Sequence, residues 1–167
     1  MMQTELLNTS NGVAKKVTRD DIIGFEGYLK GQPNVMLNDC FPLKHTFSDG
    51  IYVREIFIPA GSELTGKIHL HEHPNFLVQG VVRVATEFGV ETLVAPVSII
   101  SKPGTKRALH AITDVRWITI HLNPTNTQDL EKLEKQIIAP SYEAYEKHKL
   151  KLENKAMKKL KNKGGNK

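Results

Sequence analysis

Three histidines alternate in the run Lys67-Ile-His69-Leu-His71-Glu72-His73. Neutral imidazole nitrogens are good ligands for zinc, iron, nickel and manganese. In a strand, residues two apart share a face, so all three rings would point the same way and His69 and His71 would converge on one ion. His69 and His73 would stand about 13 Å apart at their Cα atoms in a straight strand, so they share an ion only if the chain turns between them. Pro74-Asn75 offers a turn nearby. His121 is the first choice for a third ligand. It ends the alternating run Val115-Arg-Trp-Ile-Thr-Ile-His121 and shares a face with Trp117 and Thr119. His110 and His71 stand in reserve.

Short strands must hold these rings. Residues 40–122 carry alternating or Val-rich runs at Ile51–Pro59, Lys67–His73, Phe76–Thr86, Val90–Ala95, Val97–Ser101, Leu109–Ile112 and Val115–Leu122. Turn residues separate them: Asp49-Gly50, Pro59 with Gly61, Pro74-Asn75, Gly89, Pro96, Pro103-Gly104 and Asp114. That spacing indicates a β-sandwich or barrel, and the absence of long helical periodicity argues against a βαβ fold. Residues 1–17 read as a flexible arm. Thr18 caps a helix of about 11 residues that ends at Gly31 and Pro33. After Asn123-Pro124, Thr127 is expected to cap an amphipathic helix carrying Leu130, Leu133, Ile137 and Ile138 and halting near Pro140. Ser141 caps a last helix, a thin apolar stripe from Tyr142 to Leu160 on a Lys-rich rod. The expected organisation is therefore arm 1–17, helix plus barrel 18–124, helical segment 125–146 and basic tail 147–167.

Composition narrows the class. The chain has 167 residues, 40% hydrophobic and 25% charged, which is ordinary for one globular domain. The net charge of +5 is uneven: residues 147–167 hold nine Lys and one Glu, and the rest holds 14 basic and 17 acidic residues. The tail is thus +8 and the body −3. Cys40 is the single cysteine, which excludes an internal disulfide and a Cys-based zinc finger. No stretch approaches the roughly 20 apolar residues of a membrane span, and no signal-peptide core is visible, so a cytoplasmic protein with no membrane partner is expected. Cys40 is read as a buried small residue, and His45 and His148 as ordinary surface residues.

The frame Gly61, Lys67, His69, His73, Gly80 resembles the first motif of the cupin superfamily, G-x5-H-x-H-x3-E-x6-G. Lys67 stands at the first His, His69 at the second and His73 at the Glu. The run from His73 to Gly80 resembles the family's E-x-x-Y-V-L-E-G strand. The second motif, G-x5-P-x-G-x2-H-x3-N, is matched in part: Gly104 fits, Pro103 is displaced by one, Arg107 replaces the ligand His and Ala111 the Asn. The resemblance implies an all-β core, a single cupin jelly-roll barrel with a short N-terminal helix and C-terminal helices, and a turn that lets residues 69 and 73 face one point. The direct transfer leaves two ligands, His69 and His73, to which His121 would add a third. Asp39-Cys40-Phe-Pro, Ile58-Pro-Ala-Gly61, Leu64–His69, Glu72-His73, Ser101–Ala108, Trp117–His121, Asp129–Glu134 and Ala139–Tyr142 also resemble the short cupin-like proteins of tailed bacteriophages.

Two functions follow as expectations. One is a metal-binding cupin with zinc, iron, nickel or manganese on His69, His73 and His121. It would act on or bind a small anionic molecule held by Lys67, Arg107 and Tyr52. The other is a non-catalytic phage structural or accessory protein, a barrel without metal, consistent with the cations Lys67 and Arg107. Tyr52 and Arg54 share one strand face and enter either the barrel or a subunit contact. Trp117 is core. A homodimer or higher oligomer is expected, in the host cytoplasm if the chain is phage-encoded, or associated with the virion. The Lys-rich tail reads as a solvated helix, as a source of non-specific attraction to nucleic acid, or as a protein-contact helix.

Overall fold

The computed structural model describes residues 16–35 and 40–164, with side chains to Lys161. The expected arm thus lies outside the described residues apart from Lys16 and Val17, as do Asp39 and the end of the tail.

Helix α1 spans Arg19–Lys30. Thr18 and Asp21 close a reciprocal capping box, each side chain accepting from the other's backbone N–H. The helix buries Ile22 and Phe25, with Val17, against Ala85 and Ala108. Lys106 fastens it further: its Nζ donates to Glu26 Oε1 at 3.1 Å and to the Gly66 carbonyl at 2.8 Å.

Among the described residues eleven strands follow in chain order: β1 Leu43–Ser48, β2 Ile51–Ile58, β3 Glu63–Thr65, β4 Ile68–His69, β5 His73–Gln79, β6 Val81–Thr86, β7 Gly89–Val94, β8 Val97–Ser101, β9 Ala108–Ala111, β10 Val115–Leu122 and, after the second helix, β11 Ile138–Ala139. One sheet runs β1-β2-β10-β5-β8, a second β3-β9-β6-β7, and a short pair joins β11 to β4. Every pairing is antiparallel. The orders 2-10-5-8 and 3-9-6-7 are those of an eight-stranded jelly roll, with β1 added at one edge. Between the sheets lie Ile56, Ile58, Leu77, Val82, Val84, Leu109, Val115 and Trp117, all buried.

The expected strand Phe76–Thr86 is two strands in opposite sheets. Gly80 divides them with φ +91°, and a Cβ there would collide with the Asp114 carbonyl. The second helix, α2, spans Leu130–Ile137. Its cap is Asp129 rather than the expected Thr127. The Asp129 carboxylate accepts from Lys132 N at 3.1 Å, while Thr127 Oγ1 accepts from Asp129 N one step earlier. Leu133 and Ile137 pack on Tyr52. β11 then lies against β4, with Ile138 opposite His69. Ser141 Oγ accepts from Ala144 N at 3.1 Å and opens α3, Tyr142–Gly164. Tyr145 docks that helix on Ile68 and Ala139, and from Lys149 to Lys161 every side chain is exposed. Among the described residues no helix is long and apolar enough to cross a membrane.

Candidate functional site

His69 ends β4, the chain bends through Leu70–Glu72, and His73 begins β5. The bend is closed by Leu70 N donating to the Ile137 carbonyl at 2.8 Å, so the C-terminal helices help to set it. Pro74-Asn75 is not the turn. Both residues lie inside β5, Pro74 opposite Ile100 and Asn75 opposite Ile99. A proline is tolerated so near the start of a strand.

The bend brings His69 over His73, ring centroids 4.2 Å apart. The alternation of β10 turns His121 inward beside them, 4.9 Å from His69 and 4.6 Å from His73. One nitrogen from each ring falls within 4.8 Å of the others, a spacing at which the three could hold one metal ion. The straight-strand reading, in which His71 would share this face, fails at the bend. His71 is exposed and stands edge-on to His148, centroids 6.0 Å apart. His110 is also elsewhere, on β9 with Nδ1 3.6 Å from Glu63.

The hydrogen bonds select the ring states. His73 Nδ1 faces the His71 carbonyl at 3.0 Å, which requires a proton on Nδ1 and leaves a lone pair on Nε2. That Nε2 and His69 Nδ1 are buried without a partner. Burial, reinforced by His73, His121, Arg107 and Arg54, pushes His69 down to about 2. Burial, then His73 and Arg54, lowers His121 to about 3. His73 is lowered too, chiefly by burial. The set is therefore three neutral imidazoles, two of which, His69 and His73, hold buried nitrogens that no described residue satisfies, a donor set that fits a borderline divalent cation.

The walls of the site are aromatic and cationic. Tyr52, buried on β2, stacks on His121 at 6.1 Å, and its hydroxyl lies 2.8 Å from His45 Nδ1. His45 is therefore half-buried against the site wall, not the ordinary surface residue expected. Sequence reasoning missed it because the β1–β2 pairing, not local spacing, brings it to Tyr52. His148 likewise is only partly exposed. Cys40 is exposed, contrary to expectation. Arg54 shares Tyr52's inward parity, opposite Thr119. Arg107 Nη2 donates to Ser101 Oγ at 2.6 Å with its guanidinium 6.0 Å from the Trp117 ring centre. Burial lowers the Arg107 pKa, and among the described residues no carboxylate forms an ion pair with it. Lys67 behaves differently: it is half-exposed, and its Nζ is paired with Glu134 Oε1 of α2 at 2.7 Å. Behind Arg107 runs a buried network that the sequence reading also missed. Asn75 Nδ2 donates to Ser101 Oγ at 2.6 Å, and Asn75 Oδ1 accepts from Trp117 Nε1 at 3.0 Å and Thr119 Oγ1 at 3.2 Å. The alternation of β5 from His73 could have flagged Asn75. His69, His121, Tyr52, Arg54, Lys67 and Arg107 all border one cavity of about 890 Å³.

No protein-family model and no curated protein matches the chain. Solved structures do resemble it, cupin-domain proteins among them. A cupin-2 domain protein of Shewanella frigidimarina is 11% identical, with a TM-score of 0.43 over 52% of this chain and 85% of that one. Ectoine synthase of P. lautus gives 13% and 0.45 over 59% and 75%. KdgF of a Halomonas species gives 15% and 0.44 over 51% and 80%.

Proposed function

We propose that this jelly roll is a metal-binding member of the cupin superfamily that binds or acts on a small anionic molecule. One observation carries the reading: three mutually close neutral imidazoles, two with buried unsatisfied nitrogens, at the edge of a large cavity. His69, His73 and His121 would hold a divalent transition metal, which would supply Lewis acidity or an activated water. His71 and His110 have no part in it. Arg107, which donates to Ser101 Oγ and has no ion pair among the described residues, would offer its remaining N–H donors to a carboxylate or phosphate in the cavity that Arg54 also lines. Lys67 would assist at the rim, its charge shared with Glu134. Tyr52 fixes the His121 ring and offers a hydroxyl to the bound molecule. The same reading places the chain in the cytoplasm, of the host cell if it is phage-encoded.

The two arginines beside the histidines are the observation that favours the alternative, a metal-free accessory barrel of a phage. Elemental analysis of protein purified without a His tag decides between them. The expected content is about one transition metal per chain, falling at least tenfold in His73→Ala. Phosphate or a dicarboxylate should then raise the melting temperature of the wild type but not of Arg107→Gln. A folded, metal-free wild type ends the metal reading, and co-purification with phage particles would support the accessory role.

A further inference from the structure

The cavity beside the histidines is sorted along its length. Its lining residues on β2 and β10 stand opposite one another in successive layers: Tyr52 with His121, Arg54 with Thr119, Ile56 with Trp117. Two strand residues separate each layer from the next, about 7 Å. The first layer is the histidine end, the second is cationic and the third is apolar. Arg107 falls between the histidines and the apolar layer. Its guanidinium stands 6.0 Å from the Trp117 ring centre, and its Nη2 donates to Ser101, which lies opposite His73. On the facing sheet Leu64 and Leu109 are paired across β3 and β9 and line the same cavity. Phe41 and Leu64 are only partly buried, so the apolar lining continues outward from the core. The lining carries three lysines and three glutamates, so its excess charge is that of Arg54 and Arg107.

We propose that the molecule bound here is an amphipathic monocarboxylate, its anionic head on Arg107 and Arg54 and its uncharged alkyl or aryl body over Ile56, Leu64 and Leu109. The head rests on the anion-binding role already proposed for Arg107; the body goes beyond it. Size argues for the body. A water takes about 30 Å³ of the liquid and phosphate or acetate only a few times that, so a bare small anion would leave most of about 890 Å³ to water. That water would lie against Ile56, Leu64, Leu109 and Trp117, where hydration is unfavourable. An apolar body displaces it, and each buried methylene then raises affinity about fourfold. Charge argues for a single head. A polyanion would have to bring its further charges against apolar side chains, at a high desolvation cost. The layering also orients the molecule. It keeps the carboxylate end beside the histidines and the tail away from them.

Calorimetric titration of the full-length protein with straight-chain monocarboxylates from acetate to decanoate tests this, with phosphate and 1-octanol as comparison probes. Affinity should rise about fourfold with each added methylene until the apolar end is full, so that octanoate binds at least about a hundredfold more tightly than acetate. Octanol, which lacks the charge, should bind at least about tenfold more weakly than octanoate, and Arg107→Gln should weaken octanoate by a similar factor. Leu64→Asn, at a partly buried position of the edge strand β3, should flatten the chain-length dependence and leave acetate and phosphate unchanged. Chelator treatment should preserve that dependence, because the tail lies away from the histidines. Phosphate that binds while octanoate is no tighter than acetate overturns the amphipathic class and leaves the anion reading standing. Octanoate that octanol matches, or that Arg107→Gln does not weaken, overturns the head on Arg107 and the anion reading with it. Absence of binding by every probe overturns both. The wild-type series decides even where Leu64→Asn does not fold.

Discussion

Keeping His69, His73 and His121 neutral ties stability to pH. In the unfolded chain each imidazole takes up a proton near pH 6.5. In the folded barrel burial and mutual repulsion hold His69 down to about 2 and His121 to about 3, with His73 also lowered. The unfolded state thus binds more protons over this interval, and stability falls as pH falls from about 6.5 towards the folded values. Above about 6.5 both states are neutral and the contribution is fully present. Each buried imidazole contributes roughly 1 kcal/mol per pH unit within the window. In chelator-treated protein the melting temperature should be flat from pH 8 to 7 and drop steeply from pH 6 to 4. His121→Phe, which keeps an aromatic ring beside Tyr52 but cannot titrate, should blunt that slope. An unchanged slope would mean that carboxylates, not this cluster, set the acid limit.

The elements that fix the cluster meet at Gly104. Its N–H donates to the His69 carbonyl at 2.8 Å, and its φ is +79°. A Cβ there would strike the Tyr145 ring, which docks α3 on Ile68. Gly104→Ala therefore combines left-handed strain of about 1–2 kcal/mol with displaced packing, for a total of about 2–4 kcal/mol. Gly50→Ala is the control, since Gly50 has φ +71° and open space around it, so only the strain should appear. Urea denaturation that gave equal losses would show that Tyr145 does not hold this junction. Much of the barrel was legible from sequence because alternation and turn residues report local geometry, as at Val97–Ser101 and Val115–Leu122. The cupin-like frame marked His69 and His73 in the sequence, and the alternation of Val115–His121 marked His121. The bend at Leu70–Glu72 was misplaced onto Pro74-Asn75 because its closure comes from the distant Ile137 carbonyl. The Lys67–Glu134 pair was hidden for the same reason: α2 folds back across 67 residues of sequence to make it.

At the scale of the molecule, charge and packing divide at different points along the chain. The residues to 146 sum to −3 and those beyond to +8. α3 itself is continuous across that boundary, Tyr142–Gly164. Its first turns are anchored by Tyr145, and Lys147 pairs with Glu143 within the helix. Beyond Lys149 the described side chains are exposed and touch no other element's core, including Leu150, Leu152, Met157 and Leu160. Exposed residues contribute little to global stability, so deleting residues 151–167 should move the melting temperature by less than about 2 °C. The deletion removes seven lysines. Those of them that are described, Lys151, Lys155, Lys158, Lys159 and Lys161, face solvent on a helix attached to an acidic body, the arrangement for phosphate contacts made through charge alone. Full-length chain should then bind duplex DNA of any sequence at low salt, with log K falling against log salt at a slope no steeper than about −6. The truncated chain should show almost no binding under the same conditions. Equal retention of both on DNA would move the attraction from the tail to the barrel. Failure of the full-length chain to bind at all would leave the +8 segment as a solvated helix.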